Sequence, residues 1–304
     1  MSDDGANKGQ GIFSKIFSPI ARVLGLGSEL EVSLETRVRD VAEKERMVFD
    51  GNPLWAFIVH DYNEIHIFKD AAVSFGFENT PVYGTWIAGR AEQYVTNLLN
   101  ELNNLNGRSL KYCGHTIKFK KPLYPGQLAD WNLVNAIERE GGIDLVVSAS
   151  DSNGKSIIQC PEIVLRPSKI EIKAEEVIPF SSEDVVARKS VEIPEHKLKA
   201  YYSCLGKSPK EDVPMMYAAS FAVSSLLDIS SRKAGRPEGG LAGMDLRFYN
   251  SAIPGVINTS IRMPSPPEEK FGVYHYVFEG LCTQADKPIL SGKFRVFSKS
   301  KFEI

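Results

Sequence analysis

The residues His60-Asp61-Tyr62-Asn63-Glu64-Ile65-His66 place a carboxylate and an imidazole five positions apart in one loop. An Asp and a His that converge on one water suit proton transfer, because the carboxylate accepts or orients while the imidazole titrates near neutral pH. Spacing alone equally fits a surface pair or a structural hydrogen bond, so the surrounding elements must decide. His60 is a second acid/base candidate, although adjacent side chains usually point apart. His115, His196 and His275 are scattered without ligand spacing and read as core or surface residues, and no metal or cofactor is implied. Cys113 and Cys204 have no evident His or Asn partner for a thiol nucleophile. The glycine-rich stretch 236–243 lacks the ending of a phosphate-binding loop and reads as a turn.

The pair lies between an expected strand and an expected helix. Alternation from Glu31 to Val38 predicts a strand with one buried face. Residues 85–99 predict a long helix, apolar at Trp86, Ile87, Tyr94, Val95, Leu98 and Leu99 and small at Gly89 and Ala91, able to lie close to a sheet. Alternating runs at 115–119, 129–137, 143–150 and 156–165, separated by turn residues, predict a strand meander. A stretch rich in Pro, Lys, Glu and Ser follows, and then the order begins again: strand 186–193, helix 213–232, and strands 245–249, 256–263, 272–283 and 288–297. Trp86 and Met215 stand 129 residues apart, as do Phe119 and Phe248, each Phe seven residues before the Gly of a Pro-Gly turn. The chain therefore reads as a duplication of an α+β unit, a helix wrapped by an antiparallel sheet. Its parts are a tail and amphipathic helix over 1–27, a first repeat over 28–166, a linker over 167–185 and a second repeat over 186–304. The amphipathic segment, with Phe13, Ile16, Phe17, Ile20, Val23 and Leu24 on one face, fits an edge cover for the core or a docking helix.

Composition narrows the class. With 304 residues, 43% hydrophobic and 24% charged, the chain is long enough for about two domains at roughly 150 residues each and is not disordered as its main state. Thirty-six Lys and Arg against 38 Asp and Glu give a formal charge of −2, which lends no support to a nucleic-acid partner. The four cysteines form no CxxC pair, which fits a reducing, cytoplasmic compartment. No apolar run approaches the ~20 residues that a membrane helix needs.

The order D-x-N-x-x-H at Asp61, Asn63 and His66, then Thr80-Pro81-Val82-Tyr83-Gly84 opening a helix, then F-x-x-P-x-x-P-G from Phe119 to Gly126, resembles the MaoC-like (R)-specific enoyl-CoA hydratase and 3-hydroxyacyl dehydratase family. The family text is G-D-x-N-P-x-H, and His60 and Glu64 stand here in place of its Gly and Pro. The resemblance implies a double hot dog, and reversible dehydration of (3R)-3-hydroxyacyl thioesters to trans-2-enoyl thioesters within fatty-acid metabolism. It implies Asp61 and His66 as the catalytic dyad and Gly84 as the backbone donor to the thioester oxygen. Asn63, Tyr83 and Trp86 are the expected substrate-side residues, with Asn63 more a brace than a reactant. The partner implied is an acyl-CoA or acyl-carrier thioester, whose phosphates Lys118, Lys120 and Lys121 would meet if they are not simply solvated strand lysines. Set on the same pattern, the second half has Lys207 for the Asp and Asp212 for the His, a chemically silent copy, with Lys207 either a solvated loop charge or a contact for a carrier's phosphate. A hot-dog thioesterase using a carboxylate alone and a noncatalytic acyl-thioester binding subunit are the alternatives; monomer and homodimer stay open.

Overall fold

A computed structural model describes residues 33–42, 44–49, 52–106, 109–139, 141–170, 177, 179–208, 210–234 and 239–304. The expected amphipathic helix at 13–24 lies outside the described residues. In chain order the elements are α1 (Leu34–Val41), β1 (Glu45–Val48), α2 (Asn52–Val59), a 3-10 turn (Glu64–His66), α3 (Lys69–Phe75), α4 (Gly84–Asn106), β2 (Leu110–Phe119), β3 (Leu128–Arg139), β4 (Gly142–Ser150) and β5 (Ser156–Pro167). The second half follows with β6 (Val185–Ile193), α5 (Glu195–Cys204), α6 (Met215–Ala234), β7 (Gly240–Phe248), β8 (Gly255–Arg262), β9 (Glu268–Lys270), β10 (Val273–Gln284) and β11 (Lys287–Ser298).

The strands form one antiparallel sheet in the order β1-β3-β4-β5-β2-β7-β11-β10-β8-β6, with β9 added to β10. Read from the β2·β7 seam outward, each half repeats the other, strand for strand. The seam pairs Thr116 with Asp245, whose side chains share a 3.1 Å hydrogen bond. These two residues are 129 apart, the same offset that links Phe119 to Phe248, so a pseudo-twofold axis passes through their pair. The long helices α4 and α6 pack against each other within the sheet, and their apolar faces make one continuous core with it. At the middle of that core Trp55 stacks on Trp86 at 5.3 Å, Tyr201 stacks on Tyr217 at 4.3 Å, and Trp55 meets Tyr201 at 5.0 Å. Burial of such large rings is a main apolar contribution of a core. The fold is thus a double hot dog of α+β class.

One expected strand is wrong. Leu34–Val41 is a helix, capped by Ser33, whose hydroxyl accepts from the Thr36 N–H at 3.2 Å. Leu34 and Val38 are buried one turn apart, so residues that alternate as a strand also fall at the i, i+4 spacing of a helix face. The edge strand of the first half is instead the short β1, paired with β3. Among the described residues, no helix is long and apolar enough to cross a membrane.

Glycine is required where the two halves join. A Cβ on Gly243 would lie 2.6 Å from the Ile117 carbonyl oxygen, against backbone that cannot move without opening the seam. Gly243→Ala is therefore expected to cost about 1–3 kcal/mol by overpacking, read as a lowered midpoint in thermal denaturation; an unchanged midpoint would contradict this close approach.

Candidate active site

Helix α2 is apolar and buries Trp55, Ala56, Ile58 and Val59. It ends because His60 turns left-handed, at φ 56, and the Asp61 N–H then donates back to the Ala56 carbonyl at 3.2 Å. This reversal carries Asp61 inward, where it is 5% exposed. Its Oδ1 accepts from the Asn63 N–H at 3.1 Å, and the Asn63 Oδ1 accepts from the Ile65 N–H at 3.3 Å, which starts the 3-10 turn that ends on His66. Short polar side chains favour such local backbone bonds, so the loop is largely self-templated. Asn63 Nδ2 also donates to the Gly239 carbonyl at 3.2 Å and ties the loop to the second half.

His66 Nδ1 lies 2.8 Å from the Pro81 carbonyl, an oxygen that can only accept, so the proton sits on Nδ1 and Nε2 carries the lone pair. Tyr83 packs its ring 4.0 Å from the imidazole and donates its hydroxyl to the Asp61 carbonyl at 2.8 Å. Tyr83 also ends the loop as the cap of α4, its carbonyl accepting from the Trp86 and Ile87 N–H groups at 3.1 Å each. The N–H groups of Gly84 and Thr85 lie ahead of the intrahelical ladder at this helix start. A Cβ at Gly84 would stand 3.0 Å from the Phe119 ring.

Asp61, Asn63, His66, Gly84 and Thr85 line one cleft, and its opposite wall comes from the second half: Val223, Leu226 and Leu227 of α6, with Gly239, Gly240 and Leu241. A second, more apolar pocket continues past His66 and Gly84 along Val82, Ile87 and Phe119 to Lys120 and Lys121. The structure therefore brings Asp61, Asn63, His66 and Gly84 together. It places Tyr83 fully buried behind Asp61 and His66, and Trp86 inside the aromatic core against Trp55 and Phe49, not on the cleft wall. Trp86 sits two residues beyond Gly84, which turns it about 200° around the helix axis. The wall from α6 was not read from the sequence, where Val223 to Leu227 look like ordinary core. Gly239 and Gly240, read as part of a turn, instead close the cleft.

His60 does not line the cleft. Its Nε2 accepts from Lys197 Nζ at 2.7 Å, and its carbonyl accepts from the Ser224 hydroxyl at 2.7 Å. Burial and then the nearby Lys197 and Lys189 ammonium groups hold its imidazole neutral, below its ordinary range. Lys121 pairs with Asp151, while Lys118 is exposed on β2. Burial pushes the Asp61 carboxyl up to about 7, with the Asn63 N–H and Lys189 opposing it more weakly. Burial pulls the His66 imidazole down to about 4, only partly offset by its bond to Pro81. At neutral pH the pair is thus a carboxyl near its midpoint beside an uncharged imidazole, the arrangement that low-dielectric surroundings impose on neighbouring titratable groups.

No protein-family model matches the chain, and no curated protein matches it in sequence. Solved structures do match it in shape. A MaoC-like dehydratase superimposes with a TM-score of 0.61 at 14% identity, over 88% of this chain and 100% of that one. The 12:0-ACP thioesterase from Umbellularia californica superimposes with a TM-score of 0.55 at 8% identity, over 84% and 93%. A conserved double-hotdog protein of Mycobacterium tuberculosis gives a TM-score of 0.53 at 9% identity, over 85% and 97%. The chain thus has the double hot-dog fold, the fold of the MaoC-like dehydratase to which it is similar.

Proposed function

We propose that the chain is a MaoC-like hydro-lyase that interconverts (3R)-3-hydroxyacyl and trans-2-enoyl thioesters. The observation that carries this reading is the junction of Asp61, His66 and the Gly84 helix start in one cleft whose far wall is mainly apolar. In hydration a water oxygen bonds to C3 while a proton is delivered to C2, and negative charge gathers on the thioester oxygen as the enolate forms. The N–H groups of Gly84 and Thr85 meet that oxygen, where donors fixed in a water-poor site stabilise charge most. His66 Nε2 takes the proton from water, because Nδ1–H is committed to Pro81. Asp61, whose carboxyl burial raises to about 7, supplies from its protonated form the proton to C2 and then recovers one from His66. Val223, Leu226 and Leu227 receive the acyl chain, and the pocket leading to Lys120 receives the pantetheine arm.

The shared fold of the plant thioesterase keeps hydrolysis as the competing reaction. The two are separated with trans-2-butenoyl-CoA: hydration bleaches the enoyl-thioester absorbance and releases no thiol, whereas hydrolysis releases free CoA. We expect bleaching without thiol release. Asp61→Ala and His66→Ala should each lower kcat by about 100-fold to 10,000-fold, the range of a general acid or base; thiol release that persists in His66→Ala would favour the thioesterase.

The pH profile has a defined sign. Below about 4 His66 becomes charged and cannot accept from water, and above about 7 Asp61 loses the proton it must donate. Hydration kcat/KM is therefore expected to form a bell between those values; a rate still rising through pH 8 would refute this proton assignment. Asp61 also opposes folding when ionised, since its folded value is raised above that of the unfolded chain. Asp61→Asn should gain thermal stability relative to the parent as pH rises toward about 7 and gain no more above it, while activity is lost.

A further inference from the structure

The second half carries a copy of the site, and backbone hydrogen bonds fix the correspondence residue by residue. The Asp61 N–H to Ala56 bond has its counterpart in Lys207 N–H to Tyr202 at 2.9 Å, and left-handed Gly206, at φ 68, stands where the first half has His60. That offset of 146 residues sets Lys207 on Asp61 and Asp212 on His66. At the helix starts the Pro214 carbonyl accepts from Tyr217 and Ala218 as the Tyr83 carbonyl accepts from Trp86 and Ile87, an offset of 131. The first N–H groups of α6, on Met215 and Met216, are therefore the counterparts of those on Gly84 and Thr85. The same offset sets Glu92 on α4 against Val223 on α6, and each lines the cleft of the opposite half.

These two counterparts differ in the one respect that matters to a helix start. Glu92 accepts from the Met215 N–H at 2.9 Å and from the Met216 N–H at 3.0 Å, one bond to each carboxylate oxygen, and is 8% exposed. Val223 has no polar atom to offer Gly84 and Thr85. The flanking walls differ in balance: Gln93, Thr96 and Asn97 stand beside Leu205 and Pro214 in the second cavity, and Leu226, Leu227 and Leu241 beside Ser230 in the first.

We propose that Glu92 is a built-in occupant of the second half's oxygen-binding position, so that the chain keeps one acyl-thioester cleft instead of two. Its carboxylate sits on the α6 start as the substrate's thioester oxygen sits on the α4 start, and it leaves no donor there for a second substrate. The comparison with substrate rests on the proposed function; the self-occupation does not. Burial pushes this carboxyl up to about 7 against the two N–H bonds that favour its charge, with nearby Asp212 adding to the rise. Lys207 donates to Asn97 at 2.8 Å, and the Tyr202 hydroxyl, which donates to the Asp212 carbonyl at 2.9 Å, also lies 3.3 Å from Asp212 Oδ1, so the groups at these positions are engaged within the half that holds them or with α4.

Glu92→Ala, probed with sodium acetate, tests the occupation. Truncation leaves two helix N–H groups facing a cavity that opens beside Lys207 and Lys210. The thermal midpoint should fall and be restored saturably by acetate but not by chloride at equal ionic strength, with no such shift in the parent; a folded variant indifferent to acetate overturns the proposal. Should the variant not fold, Glu92→Gln decides, because its amide N–H₂ would face one helix N–H: a midpoint equal to the parent's overturns the proposal and a lower one supports it. Val223→Glu transplants the carboxylate to the first cleft. It should weaken butanoyl-CoA binding by about tenfold or more in calorimetric titration of protein shown by melting to be folded; unchanged affinity overturns the correspondence. If the parent itself binds no butanoyl-CoA, the thioester reading fails and the acetate experiment still decides the role of Glu92.

Discussion

Two helix starts lie inside this molecule, and each must find an oxygen for its first N–H groups. Leaving such donors buried and unmatched costs about 1–3 kcal/mol per group, so the arrangement around α4 and α6 is bound by that demand. The aromatic stack of Trp86, Trp55, Tyr201 and Tyr217 sets the two helices about a pseudo-twofold axis and fixes where their starts point. At α6 the chain answers with its own carboxylate. At α4 it answers with a cleft. Gly84 keeps that cleft narrow against Phe119 and leaves the backbone donors unshielded by a side chain.

The dyad loop belongs to the first half in sequence and to both halves in structure. Lys197, Ser224 and Gly239 bind it at His60 and Asn63, and Lys189 lies close enough to moderate the charge of Asp61. The second half, with Lys207 and Asp212 at the corresponding positions, is still needed to build the cleft. It supplies the cations beside the loop, the apolar wall along α6 and the strand that closes the core at β7. The α6 wall and β7 close over Asp61 and His66, and burial dominates the shift of both.

Much of this was legible in the sequence, for identifiable reasons. Long elements with one buried face, such as α4 and the strand series of each half, announce themselves by period. The loop from Asp61 to His66 was legible because its residue types are unusual together. Three things were hidden. Leu34 and Val38 satisfy a strand and a helix alike, and only the Ser33 cap distinguishes them. The repeat offset read from Trp86 and Met215 is 129, whereas the capping bonds pair Gly84 with Met215 at 131, because the connection between helix and sheet differs in length between the halves. Glu92 on a helix reads as a solvated charge, and nothing local reveals that a second helix starts against it.

The departures from the motif fall on residues with backbone duties. His60 occupies the left-handed position that Gly206 fills in the other half, and a side chain there costs about 1–2 kcal/mol. Its bond to Lys197 and its contact with Phe221, rings 6.2 Å apart, are interactions a glycine could not make and they offset that strain. Glu64 begins the 3-10 turn, a first position where a proline is tolerated and not required. Its carbonyl accepts from Ile67 and Phe68, a duty open to either residue. An acidic side chain at the start of a turn is in addition electrostatically favoured. Neither substitution alters the side chains of Asp61 and His66 that line the cleft, so their placement survives a change in how the chain is bent to deliver them.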